Sequence, residues 1–179
     1  MKNFLLTGRP GSGKSTIIQQ LVANLKKQGV KVGGLLCPEI RGPSGRLGFK
    51  IIELMSGEER ILAYVGQTGP KVGKYGVNLN NLDEMSRKAL ETLPQAEVVV
   101  IDEIGPMEVR SSLFCDFVRK CLDSNKPVLS AIHKRTESGL IGEIKRRKDV
   151  MIFEITPEKR KEILEELREK VEALLNLQR

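Results

Sequence analysis

Residues 3–16 read NFLLTGRPGSGKST and carry the strongest local signal of structure in the chain. The apolar run up to Thr7 is typical of a short buried strand that ends at a glycine. From Ser15 onward, apolar residues recur at helical spacing as far as the basic pair Lys26 and Lys27, and a glycine follows shortly after. The stretch therefore predicts a strand, a glycine-rich loop and a helix in direct succession.

The loop in this stretch matches the pattern G-x-x-x-x-G-K-[ST] at every fixed position between Gly8 and Ser15. Its glycines allow successive backbone N–H groups to point inward around phosphates, and the following helix adds the positive end of its dipole. Lys14 supplies a flexible positive charge for the β- and γ-phosphates, and the Ser15 hydroxyl is placed to ligate magnesium, Mg²⁺. The predicted nucleotide-binding residues are Gly8, Arg9, Pro10, Gly11, Ser12, Gly13, Lys14, Ser15 and Thr16.

A second motif begins with an unbroken apolar run, which is typical of a strand covered on both faces. The motif comprises Val98, Val99, Val100, Ile101, Asp102, Glu103, Ile104 and Gly105. Because open α/β sheets bind ligands at the carboxyl ends of their strands, Asp102 is expected to hold Mg²⁺ together with Ser15. Glu103 is expected to orient or deprotonate a water at the γ-phosphate, which favours hydrolysis over phosphoryl transfer.

The second half of the chain alternates strand and helix patterns. Strand patterns at 127–132 and 150–155 follow helix patterns at 111–123 and 138–147, and Thr156 is expected to cap a last helix. Strands separated by helices at these intervals indicate parallel strands joined by right-handed crossovers. The sequence therefore predicts an α/β fold, with a mostly parallel sheet and helices on both faces.

The first half departs from this alternation over residues 37–78, which lack a helical period. Turn signals separate its apolar runs, and this pattern predicts an antiparallel β extension of the sheet. The glycine-rich stretch 66–76 is expected to be a loop, and Asn80 or Asn81 is expected to cap the next helix. Since no linker is visible, residues 1–179 are predicted to form one domain.

The net charge of +7 is confined to one part of the chain. Residues 1–52 carry nine Lys and Arg against one acidic residue, whereas residues 53–179 carry 21 against 22. Nucleic-acid binders commonly interleave basic and aromatic residues, but aromatic residues make up only 4% of this chain. A polyphosphate ligand near the N-terminus is therefore favoured, and nucleic-acid binding at the basic run 145–148 is the less favoured alternative.

The composition also bears on location. The chain has no uncharged apolar stretch long enough to span a membrane, and the apolar run after Lys2 is too short for a signal peptide. Cys37, Cys115 and Cys121 are odd in number and have no C-x-x-C spacing. The sequence therefore predicts a cytoplasmic protein with buried thiols and no membrane association.

Further candidate residues rest on position alone. Arg41 and Arg46 flank a tight turn in the basic first third, where either is expected to neutralise transition-state charge as an arginine finger, or to lie exposed on a hairpin. Ser130 and His133 lie on and just after a predicted strand. They are possible sensors of the γ-phosphate.

Three blocks together carry a resemblance to a known family. They are Gly8 to Thr16, the segment CPEIRGPSGRLGF at 37–49, and VVVIDEIGPME at 98–108. On these blocks the chain resembles the small P-loop nucleoside-triphosphatase family of thermophiles, which includes the human cancer-related nucleoside triphosphatase. The resemblance implies a RecA-like P-loop core with added antiparallel strands, and Mg²⁺-dependent release of phosphate from ATP, GTP, CTP, UTP and TTP alike. It also gives weight to Arg41 and Arg46 as functional residues.

Three functions fit these observations. The first is hydrolysis of free nucleoside triphosphates, the second is a P-loop nucleotide or nucleic-acid kinase, and the third is a nucleotide-dependent binding module with slow hydrolysis. A guanine-reading N-K-x-D motif is absent, because residues 125–128 read NKPV. Weak selection among bases is therefore expected.

Overall fold

The strand, loop and helix at the start of the chain form as expected in a computed structural model. The structure describes residues 1–178, so Arg179, the last residue of the predicted domain, lies outside the described residues. The helices are α1 (Lys14–Lys27), α2 (Leu79–Thr92), α3 (Ser112–Asp123), α4 (Gly139–Lys145) and α5 (Arg160–Gln178). The strands are β1 (Asn3–Thr7), β2 (Val32–Leu36), β3 (Glu39–Gly42), β4 (Gly45–Glu53), β5 (Glu59–Val65), β6 (Lys71–Val72), β7 (Tyr75–Val77), β8 (Val98–Ile104), β9 (Val128–Ile132) and β10 (Val150–Glu154).

All of these strands join one sheet in the order β10-β1-β9-β8-β2-β4-β5-β7-β6, with β3 paired to β4. The five strands from β10 to β2 pair in parallel. The strands from β4 onward, and β3, pair antiparallel. The predicted α/β fold, a mostly parallel sheet with an antiparallel β extension, is confirmed.

Helices cover both faces of the parallel strands and enclose two hydrophobic cores. One core contains side chains of α2, α3 and α4, and the other contains side chains of α1 and α5. Neighbouring residues of β8 illustrate the arrangement, since Val99 packs into the first core and Val100 into the second. Successive strand residues point to opposite faces, which explains why β8 is apolar without interruption.

Two predicted helix starts are wrong in position. Asn78 caps α2, because its side chain accepts a hydrogen bond from the Asn81 backbone N–H at 2.9 Å. Residues 157–159 form a turn, so α5 begins at Arg160, later than a Thr156 cap implies. The Lys159 N–H donates to the Thr156 carbonyl at 3.1 Å, and this bond closes the turn before the helix. Local sequence signals thus located both helices but misplaced their first residues.

The glycine-rich stretch 66–76, expected to be a loop, contains the short β6–β7 hairpin. Lys71 pairs with Gly76 and Val72 with Tyr75. A Cβ at Gly76 would lie 1.8 Å from the Gln67 carbonyl oxygen, so this glycine allows two backbone segments to approach closely. Within residues 1–178, no helix combines the length and the hydropathy that crossing a bilayer requires.

Candidate active site

The carboxyl ends of the parallel strands open into a cleft of about 860 Å³. This is the edge at which open α/β sheets bind ligands. The predicted site residues that line the cleft are Gly8, Arg9, Pro10, Gly11, Gly13, Lys14, Ser15, Thr16, Arg46, Asp102, Glu103 and His133. Most of the predicted phosphate loop and the end of β8 therefore face the same space.

Gly13 is the turning point between the loop and α1. It is the N-cap of α1 and has a φ of 103°, a left-handed backbone conformation that residues other than glycine rarely adopt. A Cβ at this position would also lie 2.7 Å from Nε of Arg160, the first residue of α5. The backbone angle thus favours glycine here, and the Arg160 side chain packs on the surface that the missing side chain leaves open.

Lys14 lies across the mouth of the loop. Its Nζ donates to the carbonyl oxygen of Gly8 at 3.0 Å and to that of Arg9 at 3.1 Å. Burial lowers the pKa of Lys14, and the nearby Glu103 carboxylate opposes that shift. A positive charge is therefore held beside the loop without a direct carboxylate partner among residues 1–178, where a phosphate can compete for it.

Asp102 and Ser15 are brought together from β8 and α1. Asp102 is only 4% exposed, and a hydrogen bond links it to the Ser15 side chain. Its Oδ2 also accepts the Cys37 backbone N–H at 2.8 Å. Burial raises the pKa of Asp102, and the hydrogen bond from Cys37 opposes that shift. The side-chain oxygens of Asp102 and Ser15 thus lie side by side. This pair fits Mg²⁺, which typically binds one or two protein oxygens and retains several waters.

A bulge in β8 explains how Asp102 and Glu103 both reach the cleft. Adjacent strand residues normally point to opposite faces of a sheet. The pairing of β8 with β9 shifts register between Ile101 and Glu103, and such bulges re-aim side chains near functional sites. The residues that precede the bulge, Val98 to Ile101, are buried and form the rigid strand that supports both carboxylates.

Glu108 is a site residue that our interpretation of the sequence did not single out. It lines the cleft in a short 3₁₀ turn after β8 and is 5% exposed. A Cβ at Gly105 would lie 3.1 Å from Glu108 Oε2 and 3.2 Å from Glu103 Oε1, so both carboxyl groups border this glycine. Burial raises the pKa of Glu108 to about 8, and the negative charges of Glu103 and Asp102 add to the shift. Its sequence signal was its place at the end of the block VVVIDEIGPME, as an acid shortly after a buried strand.

The structure separates the two predicted arginines. Arg46 lines the cleft, where its Nε donates to the Tyr75 hydroxyl at 2.8 Å and its Nη1 donates to Glu39 at 2.9 Å. Its guanidinium also lies 5.0 Å from the centroid of the Phe49 ring. Arg41 pairs with the same Glu39, but its side chain is 68% exposed and does not line the cleft. Of the two arginines, only Arg46 lines the cleft that the phosphate loop also lines.

The two predicted sensors also differ in position. His133 lines the cleft, with its Nδ1 2.8 Å from the Thr136 hydroxyl. Ser130 is fully buried in β9, and its hydroxyl donates to the Ala131 carbonyl at 2.9 Å. Since strand residues alternate, Ser130 shares the face of Ile132, which packs into the first core. Ser130, unlike His133, does not line the cleft.

Three basic residues that our sequence interpretation missed also line the cleft: Lys134, Arg135 and Arg160. They follow β9 and β10, and Lys134 pairs with Glu154. No local motif marks them, because only the parallel pairing of β10, β1 and β9 brings these loops beside the phosphate loop.

Comparison with known proteins assigns the chain to a family. A family model described as "NTPase" matches residues 3–168. The chain is 48% identical to Nucleoside-triphosphatase THEP1 of Thermofilum pendens over 89% of each chain, and 38% identical to that of Methanopyrus kandleri over 94% of each. Among solved structures, THEP1 from Aquifex aeolicus superposes with a TM-score of 0.81 at 35% identity, covering 92% of this chain and 96% of that one. A human cancer-related nucleoside triphosphatase superposes with a TM-score of 0.79 at 34% identity, covering 97% and 98%. The fold, the phosphate loop and these matches together show that the chain belongs to this NTPase family.

Proposed function

We propose that this enzyme hydrolyses ATP, GTP, CTP, UTP and TTP to the diphosphate and inorganic phosphate, with Mg²⁺ and with weak base selectivity. The observation that carries the proposal is the position of Glu103, a half-buried carboxylate in the same cleft as Lys14 and next to Asp102. A carboxylate at this position favours hydrolysis, because it can accept a proton from the attacking water. The names of the similar proteins support the same activity.

In the proposed complex, the phosphate loop binds the triphosphate. Backbone N–H groups of the loop between Gly11 and Ser15 surround the phosphates, and Lys14 exchanges the carbonyl oxygens of Gly8 and Arg9 for phosphate oxygens. Ser15 and Asp102 would hold Mg²⁺ through their side-chain oxygens. When bound, Mg²⁺ neutralises negative charge on the β- and γ-phosphates.

Glu103 then acts on the attacking water. Its carboxylate accepts a proton as the water oxygen bonds to the γ-phosphorus and the bond from that phosphorus to the β–γ bridging oxygen breaks. The diphosphate leaves with the bridging oxygen, and Glu103 returns its proton to solvent. General-base assistance of this kind contributes about 10²- to 10⁴-fold to rate.

Arg46 is proposed to neutralise the charge that develops on the transferred phosphoryl group. Tyr75 and Glu39 hold the guanidinium by hydrogen bonds, and Phe49 lies beside it. A guanidinium that is already ordered loses less side-chain entropy when it binds a phosphate. His133, at the same edge, is proposed as a contact that responds to the γ-phosphate.

The organisation and location predicted from the sequence are part of the proposal. One continuous sheet runs from β10 to β6, which supports a single domain. Cys37, Cys115 and Cys121 are free thiols, which supports a cytoplasmic setting, because cytosolic proteins seldom carry disulfides.

The test is phosphate release from each of the five triphosphates, with Mg²⁺ and with EDTA, in the absence of any acceptor. We expect release from all five at rates within about tenfold of one another, and loss of release in EDTA. Lys14→Ala serves as the control that retains the fold but loses the phosphate ligand. Phosphate transfer that requires an added hydroxyl acceptor would contradict the proposal and indicate a kinase.

A further inference from the structure

The proposed binding mode fixes where the nucleoside must lie. Glu103 marks the γ-phosphate end of the cleft, and the loop binds the α- and β-phosphates. The nucleoside therefore leaves the loop on the side away from Glu103. Thr16 and Gln19 from α1 and Arg160 from α5 line the cleft and belong to elements other than β8, which carries Glu103, so they are the candidates for contact with the nucleoside.

Arg160 packs against the phosphate loop. A Cβ at Gly13 would lie 2.7 Å from Arg160 Nε, 2.8 Å from its Cδ and 3.1 Å from its Cζ, so the guanidinium rests on the glycine backbone. The Nε atom is buried and has no hydrogen-bond partner within residues 1–178. The half-buried side chain thus packs against the loop while this donor is unused.

Three of the five other Lys and Arg residues that line the cleft are already engaged, and Arg9 and Arg135 are the remaining two. Lys14 donates to loop carbonyls, Arg46 is held by Tyr75 and Glu39, and Lys134 pairs with Glu154. Arg160 makes no ion pair with any carboxylate of the part of the chain that is described. It is therefore available to a ligand, and its planar guanidinium suits an aromatic face better than a lysine ammonium would.

We propose that Arg160 is a specificity-determining residue whose guanidinium stacks on the nucleobase. This inference rests on the proposed function, because it assumes that the phosphate loop binds a nucleoside triphosphate. Every base offers a π face, so stacking holds purines and pyrimidines without reading their hydrogen-bonding edges. The weak base selectivity proposed above then has a physical cause in one residue.

Binding titrations test this role without depending on turnover. The ligands are β,γ-methylene analogues of ATP and CTP, and inorganic tripolyphosphate, which has no base. The proteins are the parent, Arg160→Ala, Arg160→Lys and Arg168→Ala. Arg168 is the matched control, because it lies on the same helix and its Nε is likewise buried without a partner within residues 1–178, but it does not line the cleft.

We expect Arg160→Ala to weaken binding of both analogues on the order of tenfold, while tripolyphosphate binding stays within about twofold. Arg160→Lys should recover only part of the loss, because the ammonium cannot stack as a plane. Arg168→Ala should bind all three ligands like the parent. In steady state, the loss should appear in KM, with kcat nearly unchanged.

Three results would overturn the inference. An equal loss of tripolyphosphate affinity would show that Arg160 binds phosphate, full recovery in Arg160→Lys would show that charge alone suffices, and unchanged analogue binding would show no contact. If Arg160→Ala does not fold, the Arg160→Lys variant provides the test. A loss of affinity for the nucleotide analogues but not for tripolyphosphate would indicate contact with the base, and an equal loss for all three ligands would indicate contact with phosphate. If the parent binds the analogues but releases no phosphate, the proposed hydrolysis is contradicted. The binding titrations would still show whether Arg160 contacts the base.

Discussion

The backbone N–H of Cys37 donates a hydrogen bond to Oδ2 of Asp102 at 2.8 Å. Cys37 directly follows β2, and Asp102 lies in β8, the parallel neighbour of β2. The bond therefore ties the residue that leads into the antiparallel extension to the carboxylate proposed to bind Mg²⁺. Burial raises the pKa of that carboxylate, which means that its ionised form is destabilised in the folded protein. A bound cation would offset this destabilisation.

Asp102→Asn should separate Mg²⁺ binding from stability. The amide still accepts the Cys37 N–H but lacks the charge, so we expect the Mg²⁺ concentration for half-maximal phosphate release to rise at least tenfold. The melting temperature should stay the same or rise, since a buried charge is removed. Asp116→Asn, at an exposed position on α3, is the control. An unchanged Mg²⁺ requirement would contradict the assignment of Asp102.

Arg46→Ala and Arg41→Ala should differ widely although both arginines contact Glu39. Arg46 lines the same cleft as the phosphate loop, and removal of an arginine finger costs about 10³-fold in kcat. Arg41 lies outside the cleft, so its loss should change kcat by less than about twofold. Single-turnover phosphate release measures both variants directly. Equal effects of the two substitutions would contradict the role given to Arg46.

The sequence predicted those parts of the fold that local patterns encode. The phosphate loop, β8 and the helices have short-range signals: glycines at fixed positions, unbroken apolar runs and helical spacing. The antiparallel extension was also predicted, but its β6–β7 hairpin was not. The glycines there looked like a loop, whereas Gly76 serves a close backbone contact that only the folded structure reveals.

The site was predicted where residues lie within or next to a motif, and missed where distant segments meet. Arg160 reaches Gly13 across most of the chain length, and the sheet order alone brings them together. Arg41 and Arg46 are equivalent in sequence, and Tyr75 and Phe49 distinguish them only in three dimensions. Ser130 does not line the cleft, because strand alternation turns its side chain into the core.

Glu103→Gln should remove turnover while retaining substrate binding. The amide matches the carboxylate in size but cannot accept the proton of the attacking water, so we expect kcat to fall about 10²- to 10⁴-fold. Nucleotide affinity should stay within about threefold, because Lys14 and the loop backbone are unchanged. Rapid-quench phosphate release and equilibrium titration measure the two quantities. Hydrolysis at the parent rate would exclude Glu103 as the base.

Glu108 should make the stability of the folded protein depend on pH. Burial raises the pKa of Glu108 from the ordinary 4.5 to about 8, and the negative charges of Glu103 and Asp102 add to the shift. Between these two values the folded protein retains a proton that the unfolded chain releases. The free energy of unfolding should therefore decrease as pH rises from about 5 to 8.

Glu108→Gln should abolish most of that decrease. The amide is neutral at every pH, so the variant should match or exceed the parent in stability at pH 8, by about a few kcal/mol, with little difference at pH 5. Calorimetric melting at both pH values measures the effect, and Glu91→Gln, at an exposed position on α2, is the control. A parallel pH dependence in the parent and Glu108→Gln would mean that Glu108 is ionised in the folded protein and that the decrease arises from another group.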